Sequence, residues 1–158
     1  MSAATASGTG TMFPLPEDLT TPGFYLRWRQ GGVTAWITTS PETLRMVRRL
    51  TASVLAARGV GRGAADAAEL VVSELVGNAV RVLGTSVPLV VEAYLAAGVI
   101  TVAVHDPAPD LLPQRSITEP DSDQAESGRG LPLLDLIAPG WTVERSPVSK
   151  VICCRLAA

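Results

Sequence analysis

One asparagine, one histidine and one lysine occur in 158 residues, and aromatic side chains make up only 4% of the chain. So few rings argue against a base-stacking platform. A formal net charge of −2 argues against a broad basic footprint for nucleic acid or anionic lipid. No apolar run approaches the roughly 20 residues needed to span a bilayer. The opening stretch, MSAATASGTGTMFPLPEDL, has no basic region followed by an apolar one, so a secretory leader is not expected. The two cysteines, Cys153 and Cys154, are adjacent. Neighbours on a strand face opposite ways and cannot readily bridge, which fits small core or surface thiols in a reducing, cytoplasmic setting.

Apolar residues, in contrast, make up 47%, and the length is that of one domain able to bury a full core. Residues 1–22 are rich in Ser, Thr, Ala, Gly and Pro without periodicity and read as a flexible arm. Residues 23–158 read as a single domain. FYLRWR (24–29) and VTAWIT (33–38) flank Gly31-Gly32 as a hairpin. Ser40-Pro41-Glu42 resembles a helix cap with proline at the first helical position, opening a helix over about 41–58. A second helix is expected over about 64–83. Val71, Val72, Leu75, Ala79, Val82 and Leu83 lie on one side of it, and Glu69, Ser73, Glu74, Asn78 and Arg81 on the other.

Strands over about 87–96 and 99–105 meet at Ala97-Gly98. The following segment, 106–127, carries four prolines and, besides Asp106, five acidic residues (Asp110, Glu119, Asp121, Asp123 and Glu126); loops of that length inside a domain are usually functional or disordered. Gly128-Arg129-Gly130 leads to a short helix over about 131–137, and two strands over about 141–146 and 149–156 finish the chain. Strands in antiparallel pairs with helices between them predict an α+β sandwich, not a doubly wound fold.

Glu74 and Asn78 are four apart, so their side chains project about 40° apart around the helix axis. A carboxylate beside an amide oxygen suits magnesium-assisted phosphoryl chemistry: one positions or deprotonates a hydroxyl, the other ligates a hard cation that keeps most of its waters. The same pair on its own reads more readily as a solvated helix face. Asp106 ends a strand, where a carboxylate can accept from an exocyclic amine. Glycines before a helix let backbone N–H groups approach a phosphate.

The run Ala68-Glu69-Leu70-Val71-Val72-Ser73-Glu74-Leu75-Val76-Gly77-Asn78-Ala79-Val80-Arg81 resembles the N-box of the histidine-kinase-like ATPases, the superfamily of gyrase, histidine kinases and MutL. More narrowly, S-E-L-x-x-N-A, a strand ending in Asp106, the Gly128-Arg129-Gly130-Leu131 run and a last strand with Lys150 resemble the anti-sigma-factor serine kinase branch. The resemblance covers roughly residues 33–156 and implies a two-layer sandwich, with helices on one face of a mixed, mainly antiparallel sheet. It implies ATP and Mg2+ as cofactors, Glu74 as catalytic base, Asn78 as magnesium ligand and Asp106 as the adenine-recognising carboxylate. Residues 107–127 would be a lid, and Ala108, Gly128, Arg129, Gly130, Leu131 and Lys150 would line the nucleotide. The implied activity is phosphorylation of a serine on an antagonist protein, with a sigma factor as second partner and a homodimer as the form in some members. Direct nucleic-acid or membrane contact is not expected.

The chain also departs from that pattern. Asp106-Pro107-Ala108-Pro109-Asp110 has no glycine where the family's first glycine box stands, and its prolines remove backbone donors. Val82 replaces a histidine, and Val148-Ser149-Lys150-Val151 lacks the threonine of G-G-K-T. A regulatory binding module of the same fold, with weak or absent ATP binding, is therefore the competing expectation. His105 reads as a strand-end residue lining the pocket, Lys150 as a phosphate contact or a solvated strand lysine, and Trp28, Trp36 and Trp141 as core or interface anchors.

Overall fold

The first strand β1 (Phe24–Arg29) and its partner β2 (Gly32–Thr38) pair with Arg29 opposite Gly32. Gly31 closes the turn at φ +78°, and a Cβ on Gly31 or Gly32 would run into the backbone carbonyls of Leu95 or Ala93 on the neighbouring strand. Glycine is thus required both for the left-handed turn and for the close approach of backbones. In this computed structural model the described residues are 22–109 and 130–158; most of the expected arm and residues 110–127 of the expected lid lie outside them.

Helix α1 (Pro41–Ala57) starts where Ser40 stops the strand. The Thr43 amide donates to Ser40 Oγ at 3.0 Å and the Ser40 amide to Thr43 Oγ1 at 2.9 Å, a reciprocal capping box. Met46, Val47, Leu50, Val54 and Leu55 form its buried stripe at three- and four-residue spacing. Helix α2 (Arg62–Leu83) buries Ala65, Ala68, Val71, Val72, Leu75, Val76 and Ala79 and lies beside α1. Val82, expected on that apolar face, is 48% exposed.

Strands β3 (Pro88–Ala96) and β4 (Val99–Asp106) form a hairpin whose turn residues Ala97 and Gly98 have φ of +49° and +75°, the two positive values that a two-residue hairpin turn needs. After α3 (Gly130–Ile137) come β5 (Thr142–Arg145) and β6 (Lys150–Ala157), and β6 inserts between β4 and β5. The sheet order is β1-β2-β3-β4-β6-β5, with every described pair antiparallel.

The described helices cover one face, giving the expected α+β sandwich. Side chains alternate along each strand, so Val33, Ala35 and Ile37 of β2, Val91 of β3, Val102 and Val104 of β4 and Ile152 of β6 face the helices and are buried. Each buried Val or Ile among them contributes about 1.5–3 kcal/mol by leaving water. Cys154 joins this core, while Cys153 is half-buried on the opposite face; both are free thiols. Burial, with Cys153 next to it, pushes the Cys154 thiol up to about 12, so it stays a thiol and packs as a small apolar group.

Candidate functional site

The C-terminal half of α2 lies over β4 and β6. Between them is a cavity of about 20 Å³, walled by Leu75, Ala79, Val82, Leu83, Val104 and Ile152, with Asn78, Asp106 and Lys150 as its polar groups. That volume holds about one water. Three residues widely separated in sequence meet here because α2 crosses the strand ends and because β4 and β6 pair in a register that sets Asp106 opposite Lys150.

At the strand end the polar groups satisfy one another. Asp106 and Lys150 are 5% and 4% exposed, and Lys150 Nζ lies 3.0 Å from Oδ2 and 3.2 Å from Oδ1. The Ala108 amide donates to Asp106 Oδ1 at 2.9 Å, and Lys150 Nζ donates to the Ala108 carbonyl at 3.0 Å. Lys150 is not the solvated strand lysine of one expectation: it is buried against the carboxylate. The cause is the cross-strand register, which places an ammonium directly opposite a carboxylate on the buried face.

At the helix end the groups are less engaged. Asn78 Oδ1 accepts from the Arg81 guanidinium one turn on. Asn78 Nδ2 is buried and has no partner among the described residues. A buried amide without a partner is uncommon and points to a group that completes it. Glu74 is half-buried one turn before Asn78, and it makes no hydrogen bond or ion pair among the described residues. The Arg81 guanidinium takes one of the two acceptor positions of the Asn78 amide oxygen. Sequence reasoning placed Arg81 only on the polar face; its spacing of three from Asn78 was the available signal.

The chain matches the family model of the histidine kinase-like ATPase domain over residues 37–156. It belongs to that family. An ATP-binding domain of the regulatory ATPase and kinase-like type is therefore what the sheet and its helices make. No curated protein matches the chain.

The residues expected to form the site are divided between the cavity and its surroundings. Asn78, Asp106, Ala108 and Lys150 meet at one cavity or its rim, and Glu74 stands beside it. Gly130 and Leu131 open α3, while Gly128 and Arg129 lie outside the described residues. His105, expected to line this pocket, lies on the other face of the sheet, where its Nε2 is 2.9 Å from Glu92 Oε2. Strand alternation explains the difference, since residues 105 and 106 must face opposite ways. On that open face Arg29 stacks over the Tyr94 ring at 3.8 Å and pairs with Glu92 at 2.5 Å, with Trp36 40% exposed nearby. Trp141, on the helix-covered side, donates from Nε1 to Asp135 at 2.9 Å.

Proposed function

We propose that this chain is a magnesium–ATP-dependent protein serine kinase of the anti-sigma type. The observation that carries the proposal is the Glu74–Asn78 pair, one turn apart on a helix that walls the Asp106 cavity, with Glu74 unpaired and Asn78 Nδ2 buried without a partner among the described residues. A carboxylate already locked in an ion pair is a poor proton acceptor; Glu74 has no such engagement among the described residues.

The donor set fits a nucleotide with magnesium in its chemistry. Among the described residues no three His, Cys, Asp or Glu side chains gather to hold a metal ion. A cation at Asn78 would thus rely on one amide oxygen, water and phosphate oxygens, the usual habit of magnesium. Bound Mg–ATP supplies the transferable phosphoryl group and the counter-charge. Glu74 orients a serine hydroxyl and takes its proton at a carboxylate oxygen. Asn78 would hold the metal, Asp106 would accept from the base, and the apolar wall of Leu75, Ala79, Val104 and Ile152 would limit access of water. Positioning and charge neutralisation carry most of the rate in phosphoryl transfer.

In this reading the acceptor is a serine on an antagonist protein, a sigma factor is the second partner, and the setting is cytoplasmic. Self-association through the exposed β1 edge, where Tyr25 is 68% exposed, belongs to the same reading. The test is γ-labelled ATP added with magnesium to the purified chain and an extract of the cell that makes it. Wild type labels a protein serine; Glu74→Ala keeps Mg–ATP binding and labels none. Labelling at the wild-type rate by Glu74→Ala would show the mechanism to be wrong.

A second reading has its own support. The Asp106–Lys150 pair and Pro107 and Pro109 beside it favour a binding module of this fold without turnover. Absence of calorimetric heat and of a thermal shift with Mg–ATP would select that reading.

A further inference from the structure

If the cavity is a nucleotide site, as proposed above, its base end already contains an occupant supplied by the chain. Asp106 and Lys150 are both buried and lie 3.0 Å apart at the closest N···O contact. Ala108 binds both, giving its amide to the carboxylate at 2.9 Å and its carbonyl to the ammonium at 3.0 Å. The cavity they close has a volume of about 20 Å³, against roughly 300 Å³ or more for ordinary ligand pockets. A purine engages a buried carboxylate through an exocyclic N–H. The lysine ammonium is the same kind of donor, and its charge makes the bond stronger.

We infer that Lys150 is the internal occupant of the base subsite and sets nucleotide affinity by competing with the base for Asp106. Base entry requires Nζ to leave the carboxylate, and the Ala108 contact is released with it. The pocket is competent only in the fraction of molecules where that has happened, and apparent affinity falls in proportion to that fraction. The strand register places this competitor in every closed molecule, since Lys150 is the cross-strand partner of Asp106. A buried ion pair is not needed for stability alone, because apolar or neutral replacements of both partners often hold a fold as well.

Lys150→Thr removes the ammonium, keeps a β-branched strand former and leaves a hydroxyl able to donate to Asp106. Calorimetric titration with Mg–ATP is expected to show binding about tenfold tighter than wild type, or more. Lys150 is the only lysine in the chain, so lysine labelled with nitrogen-15 gives one Nζ signal. In wild type that signal is expected to shift as Mg–ATP saturates the site.

Binding by Lys150→Thr equal to or weaker than wild type overturns the inference and leaves the nucleotide site standing. An Nζ signal unmoved at saturation does the same. If neither protein binds Mg–ATP, the nucleotide reading itself fails and the inference with it. Should Lys150→Thr not fold, the wild-type Nζ signal decides alone.

Discussion

Helix α2 and the end of β4 treat their carboxylates differently. Glu74, on the helix, is half-buried and has no partner among the described residues. Asp106, at the strand end, is 5% exposed and bonded through both oxygens. Desolvation separates them. A carboxylate still reached by water can wait for a ligand at little cost, whereas a buried one without a partner costs several kcal/mol. The more deeply a recognition group is placed, the more it needs an internal partner, and any ligand then has to displace that partner.

The contrast can be broken or sharpened by substitution. The largest effect is expected at the helix end, where Glu74→Gln should lower phosphoryl transfer by roughly 10²–10⁴-fold, the range of a lost general base. Its Mg–ATP affinity, read by calorimetry, should stay at the wild-type value. At the strand end the first effect should be on folding. Asp106→Ala leaves the Lys150 ammonium buried without its carboxylate and is expected to cost about 3–5 kcal/mol in urea denaturation. The double variant Asp106→Ala, Lys150→Met should recover most of that loss, and an Asp106→Ala protein as stable as wild type would erase the distinction between the ends. The smallest effect is a control remote from both. Ser40→Ala removes the α1 cap and should lower stability by about 1 kcal/mol while leaving Mg–ATP affinity unchanged.

Local chemistry made much of this fold readable from sequence. Ser40 and Pro41 announced α1, Ala97-Gly98 announced the central hairpin, and the period of Val71, Val72, Leu75 and Ala79 gave the buried face of α2. Glu74 and Asn78 could be set side by side because a spacing of four is a property of one helix. The Asp106–Lys150 contact was not readable in the same way. It depends on β6 pairing with β4 across a separation of 44 positions, in a register that local sequence does not encode. His105 shows the limit from the other side: its place next to Asp106 in sequence invited a shared pocket, yet strand alternation sent it to the opposite face, onto Glu92.

The claim that everything else depends on is that Asn78 and Asp106 belong to one magnesium–nucleotide site. Titrating Mg–ATP into wild type and Asn78→Ala, with and without magnesium, tests it most directly, at concentrations high enough to overcome competition from Lys150. Wild type should saturate in a magnesium-dependent way. Asn78→Ala, with its fold verified by thermal melting, should bind about 10- to 100-fold more weakly, the loss expected for one contact to a charged group. Equal affinity in the two proteins, or no magnesium-dependent binding by wild type, would contradict the assignment.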